Sequence, residues 1–157
     1  MKYFSGKTVE DALQKASEEL NSPVENINYE VIEETKSLLG LKRKVQISAY
    51  TDAMVIEFVQ NYITDIIEGM GLEVSLSTKY EDGFIRIKIS TNHNSILIGK
   101  GGVILRAFNL IARQAVQNEF KKRFEISLDI NGYRETRYKK VSAMAKRLGK
   151  QVLRTKI

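Results

Sequence analysis

The chain has 157 residues, 43% of them apolar and 28% charged, a balance that supports a packed core and excludes disorder by composition. It has no Cys, no Trp and one His, which excludes disulfides, thiolate metal sites, a Cys nucleophile and a multi-histidine metal cage. A formal net charge of +6 and a pI near 9.4 suit an anionic partner.

No run approaches the roughly 18 consecutive apolar residues of a membrane span. The nearest, Met54–Ile67, is broken by Glu57, Gln60, Asn61 and Asp65. The first six residues lack the apolar core of a signal peptide. The expectation is a soluble, cytoplasmic protein without a membrane span. Charge is distributed in blocks: residues 1–40 carry net −4, residues 41–132 net +2 and residues 133–157 net +8. An acidic head, a mixed middle and a basic tail suggest three units with different tasks.

In the head, Tyr3-Phe4-Ser5 suits a short strand. Thr8 is placed to cap a helix, with Asp11 at the capping-box position, and Val9, Ala12, Leu13, Ala16 and Leu20 follow helical spacing. Asn21-Ser22-Pro23 stops that helix. Ile27, Tyr29 and Val31 alternate with polar residues, as do Val45, Ile47 and Ala49, which predicts two strands with one buried face each. Between them lies the apolar tip Leu38-Leu39-Gly40-Leu41, flanked by bases. It is either packed on its own unit or a partner site. The expected unit is βαββ over residues 1–50, marginal in size for independent stability.

In the middle, Asp52 is expected to cap a helix carrying Val55, Ile56, Val59, Tyr62, Ile63, Ile66 and Ile67, ended by Gly69 or Gly71. Val74 and Leu76 mark a strand, Glu81-Asp82-Gly83 a hairpin turn, and Ile85, Ile87 and Ile89 the returning strand. Arg86 and Lys88 lie on its opposite face, a solvated face by default. A short helix around Ser95–Ile98 leads into Gly99-Lys100-Gly101-Gly102. A long helix from Val103 through Ala115 follows, then a strand with Phe124, Ile126, Leu128 and Ile130. The order over residues 52–132 is αββααβ. Lys121-Lys122-Arg123 sits at a helix C-terminus, where cations are favoured in any case. Residues 133–157 read as one basic helix with a narrow stripe of Val141, Ala145, Leu148 and Val152. That stripe requires cover, from the middle domain, from a second copy or from further chain.

The glycine segment carries the functional signal. A helix N-terminus presents unpaired N–H groups and a partial positive charge. Glycine lets the chain reverse and removes the Cβ that would hold a sugar–phosphate backbone away. Lys100 adds a cation at the tip. Walker A chemistry is excluded because Gly101, not Ser or Thr, follows Gly99-Lys100. A dinucleotide fingerprint is excluded by Ile104 in place of a third glycine, and by the helix in place of a preceding strand. The plain alternative is a helix–helix turn with a C-terminal glycine.

Ile98-Gly99-Lys100-Gly101-Gly102 resembles the I-G-x-x-G signature of KH domains, and the αββααβ order is that of the type II KH fold. Gly132-Tyr133-Arg134-Glu135 and its basic helix look like the start of an R-three-H domain. The head, with its lysine-flanked apolar tip, looks like a Jag N-terminal domain. Together they resemble the Jag (KhpB/EloR) family of bacterial RNA-binding proteins. The Arg-xxx-His signature itself is absent, since the one histidine, His93, precedes the glycine segment, and the chain stops where that last domain would begin.

The resemblance implies an α+β protein: a βαββ Jag-N-like domain (1–50), a type II KH domain (52–132) and a basic helix opening an R-three-H-like region (133–157). It implies that Gly99, Lys100, Gly101 and Gly102 hold single-stranded RNA. Ile98 and Val103 would help form the apolar groove under the bases, and the groove would take about four nucleotides. Arg106, one turn into the helix, is a geometric candidate for a further phosphate contact. Arg134, Arg137, Lys140 and Arg147 are auxiliary bases in a tail whose net charge points to an anionic partner. The resemblance further implies regulation tied to cell elongation and division, and a small KH-only protein partner. The contrasting reading is a protein-docking scaffold, motivated by the acidic head, the leucine tip and the unpartnered tail helix, with a homodimer as one form. No nucleophile–base pair, carboxylate pair or metal cluster is legible, so neither catalysis nor a cofactor is expected.

Overall fold

A computed structural model describes residues 1–36 and 43–155; the apolar tip at 38–41 lies outside the described residues. The chain is mixed α+β. In order it forms β1 (Lys2–Gly6), α1 (Val9–Leu20), a 3-10 turn (Val24–Asn26), β2 (Ile27–Lys36), β3 (Arg43–Thr51), α2 (Asp52–Gly69), β4 (Val74–Glu81), β5 (Phe84–Thr91), α3 (Asn94–Ile98), a 3-10 turn (Lys100–Gly102), α4 (Val103–Phe120), β6 (Glu125–Ile130) and α5 (Tyr133–Thr155). The contacts divide it into two compact units: residues 1–63 with 114–123, and residues 64–113 with 124–157.

In the first unit, Thr8 accepts the Asp11 N–H at 3.2 Å, while Asp11 Oδ2 accepts the Lys7 N–H at 2.8 Å. This is a capping box reaching one residue further back than the usual pattern. Asn21 closes α1 in the left-handed region, φ 48°, where Asn is tolerated. The sheet has the order β1-β3-β2, all antiparallel. Ala12, Leu13 and Ala16 of α1 pack with Phe4, Val45, Ile47, Ala49 and Ile27.

The expectation that Ile27, Tyr29 and Val31 share a buried face fails at the last two, which are 47% and 44% exposed. The reason is position: β2 is an edge strand, and α1 lies chiefly over β1 and β3. A register shift between Val31 and Glu33 further disturbs the alternation, as a β-bulge does. On the opposite face Ser48 and Tyr50 are buried. The Tyr50 ring meets Phe120 edge-on at 5.0 Å, and Phe58 meets Phe120 at 5.6 Å. The start of α2 and the end of α4 therefore belong with this sheet. The Met54 N–H donates to Thr51 Oγ1 at 3.4 Å, so Thr51 takes the capping role expected of Asp52, whose carboxylate accepts from Asn28 Nδ2.

In the second unit, α2 ends with the Leu72 N–H donating to the Ile67 carbonyl, with Gly71 at φ +75°, a left-handed C-terminal cap. Asp82 and Gly83, at φ +52° and +80°, form the turn of the β4–β5 hairpin. Positive φ at both central residues is what a type I′ turn requires. The sheet has the order β4-β5-β6, with β5 and β6 parallel. Ile85, Ile87 and Ile89 alternate into the core with Ile126, Leu128 and Ile130. Arg86 and Lys88 lie on the exposed face, beside Ser127 and Asp129 in register. Leu97 of α3 and Leu105, Phe108 and Ala112 of α4 are buried as well.

By length and a mean hydropathy of 1.4, Asn94–Phe120 is the one helical stretch among the described residues apolar enough for a membrane span. It replaces Met54–Ile67 as the most span-like segment. A core helix meets the same requirement, and here the stretch is broken by the Gly99–Gly102 turn and buries Leu105, Phe108, Ala112, Val116 and Phe120.

Candidate nucleic-acid interface

The Gly99–Gly102 segment reverses the chain between α3 and α4. Gly99, Gly101 and Gly102 have φ of +69°, +64° and +76°, a region that L-side chains avoid. A Cβ on Gly99 would meet Ile104 Cγ1 at 2.6 Å, and one on Gly102 would meet Tyr133 Cε1 at 2.7 Å; at Gly101 the space is open. Gly99 and Gly102 are thus demanded by packing as well as by backbone conformation. Gly101 is demanded by conformation alone.

The amides are not equivalent. The Gly99 N–H donates to the Ser95 carbonyl at 3.0 Å and the Gly102 N–H to the Gly99 carbonyl at 3.1 Å. Among the described residues, no acceptor meets the Lys100 or Gly101 N–H. Both residues are exposed, so two donors and the Lys100 side chain face solvent at the tip. Local N–H groups aimed outward in such a bend bind anionic oxygens.

Two guanidinium groups complete the cluster. Arg106 Nη1 donates to the Gly101 carbonyl at 3.0 Å, and Arg137 Nη1, from α5, donates to that same oxygen. Arg137 also lies 3.4 Å from the Tyr133 hydroxyl. One carbonyl thus gathers two cations beside two free amides. Arg106 and Arg137, 31 positions apart in sequence, meet because α5 starts against the turn.

The remaining residues named from the sequence divide. Ile98 is half-buried and Val103 is 56% exposed, on either side of the turn. Arg134 turns to the sheet: its Nη1 donates to Ser127 Oγ at 3.1 Å and its N–H to Asp129 Oδ1 at 3.5 Å. Lys140 and Arg147 are exposed along α5. The apolar stripe of α5 is uncovered, with Val141, Met144, Leu148 and Val152 between 47% and 58% exposed.

Sequence reasoning assigned no role to three positions. Tyr133 lies over Gly102; its signal was an aromatic directly after Asn131-Gly132. Asn109 is 6% exposed on α4. Its Oδ1 accepts the Leu128 N–H at 2.8 Å, and its Nδ2 donates to the Leu105 and Leu128 carbonyls. Arg113 Nε donates to the Ile126 carbonyl at 2.8 Å. Together they satisfy the Leu128 N–H and the Leu128 and Ile126 carbonyls of β6, so side chains of α4 cover the middle of that edge. The signal was a polar residue on the apolar Leu105–Ala112 stripe. Glu135, in the first turn of α5, is held below the usual carboxylate range by Lys139, 2.6 Å away.

Comparison with known proteins places the chain among related sequences. Residues 4–51 match the family described as Jag N-terminus. RNA-binding protein KhpB of Streptococcus pneumoniae (serotype 2, strain D39) is 30% identical over 120 residues, covering 76% of this chain and 36% of the relative. The proteins of the same name from Clostridium symbiosum and Bacillus subtilis (strain 168) are each 26% identical over 97% of this chain, covering 70% and 74% of their own lengths. The chain spans about a third of the Streptococcus pneumoniae protein, 36% of its length. These matches support the Jag/KhpB family.

Proposed function

We propose that this chain is a single-stranded RNA-binding regulatory protein that clamps the sugar–phosphate backbone at the Gly99–Gly102 turn, in the manner of a KH GxxG loop. The observation that carries this reading is the pair of unengaged amides at Lys100 and Gly101, ringed by Lys100, Arg106 and Arg137. The printed name of the relatives, RNA-binding protein KhpB, supports the same partner. The αββααβ order of α2–β6 supports a type II KH domain, with Ile98 and Val103 as apolar surface beside the turn. The family likeness adds regulation of bacterial cell elongation and division, a cytoplasmic location and a small KH-only partner. No catalytic role is part of the reading.

The test is fluorescence anisotropy with labelled single-stranded RNA over a salt series. Affinity should fall with salt at a log–log slope of roughly −0.7 per phosphate neutralised. The double variant Lys100→Asp/Gly101→Asp, checked for folding by circular dichroism, should lose binding at least about tenfold, since it replaces a cation and a bare amide site with two anions. An unchanged affinity in the folded variant refutes the clamp.

The uncovered stripe of α5 favours a second reading, a protein-docking scaffold or homodimer with incidental RNA binding. Light scattering separates the two. A monomer at all concentrations that retains RNA binding removes the homodimer.

A further inference from the structure

Beside the glycine turn, α4 and α5 line an open cavity of about 460 Å3. We propose that it receives one nucleobase of the bound RNA strand, stacked against Tyr138, with the adjoining phosphate at the Lys100–Gly101 amides. The inference rests on the RNA-binding reading above and adds α5 as a wall of the site.

The cavity is small-molecule sized, within the roughly 300–1,000 Å3 typical of ligand pockets. Leu105, 2% exposed, lines it together with Val141, Tyr133 and Tyr138. Arg106, Arg134 and Arg137 line it too, and no carboxylate does. Arg134, Arg137, Tyr138 and Val141 are spaced three, four and seven residues apart, which puts them on one face of α5. Tyr133 is held in place by Gly102 beneath its ring. Tyr138, at 75% exposure, keeps its ring open to an incoming flat surface.

Those features call for a ligand with a planar apolar part and an anionic part at short range. The apolar lining suits a ring that stacks, and guanidinium planes stack on bases as well. The guanidiniums of Arg106 and Arg137 are turned toward Gly101 by its carbonyl, and each retains N–H donors for a phosphate oxygen. A nucleotide unit meets both demands. An acidic peptide would meet the charge and leave the aromatic wall unused.

The experiment compares Tyr138→Ala and Tyr138→Phe in the full chain by anisotropy with the labelled single-stranded RNA. Tyr138→Ala should bind about tenfold more weakly, in the range for loss of one stacked base. The salt slope should be unchanged, because no charge is removed. Tyr138→Phe should bind as the parent does. Photocrosslinking of 4-thiouridine RNA should mark the peptide holding Tyr138. If Tyr138→Ala binds at full affinity while Lys100→Asp/Gly101→Asp fails, the base pocket is wrong and the backbone clamp stands. If neither change matters, RNA binding at this turn fails. If Tyr138→Ala weakens capture of a polyglutamate peptide and leaves RNA affinity intact, the cavity belongs to an acidic peptide and the proposal is overturned.

Discussion

Gly101 and Gly102 share a positive φ but differ in what lies beyond the missing Cβ. Alanine at 101 meets open space and should lose roughly 1–2 kcal/mol of stability from backbone conformation. Alanine at 102 must also displace the Tyr133 ring, so its urea midpoint should fall further. Equal shifts would mean that Tyr133 does not rest on the turn. A second residue-scale prediction concerns Asp11. The Lys7 N–H and then the Lys15 ammonium hold its carboxylate below the ordinary value of 3.8. A group whose folded pKa is lowered contributes stability above its unfolded value and loses it as pH falls through the folded one. Thermal melting should therefore decline below about pH 4, and Asp11→Asn should lessen that decline. The need for glycine was legible in the sequence. Which glycine is sterically obligatory was not, because Ile104 and Tyr133 decide it.

At the scale of elements, the seal between α4 and β6 is the feature most open to test. Asn109→Leu keeps the apolar stripe and leaves the buried Leu128 N–H without its acceptor, which should cost roughly 1–3 kcal/mol in urea denaturation. Arg113→Met should cost less, since Arg113 is exposed and water can replace its bond. A smaller loss at Asn109 than at Arg113 would refute the assignment. Periodicity located the helices and strands, because burial on one face imposes its period on the residues. The Asp82-Gly83 turn and the cap at Thr8 were readable for similar reasons, since their chemistry is local. The buried face of β2 was misread at Tyr29 and Val31. Alternation says that one face could be covered, whereas coverage depends on which strand is central and where α1 lies.

For the whole molecule, the blocks of charge set the long-range behaviour. If Lys140 and Arg147 contribute phosphate contacts, replacing both with Gln should reduce the magnitude of the salt slope by about 1.4, at roughly 0.7 each. An unaltered slope would confine the proposed phosphate contacts to the turn and its two arginines. The sequence by itself determined the α+β composition, the order of the elements, the glycine reversal near residue 100 and the basic character of the tail. These follow from local backbone preferences and from side-chain period. Only the tertiary structure decided that Arg106 and Arg137 converge on one carbonyl, that Tyr133 caps Gly102 and that Asn109 closes the β6 edge. Those pairings join residues distant along the chain, and they are fixed by how the elements pack.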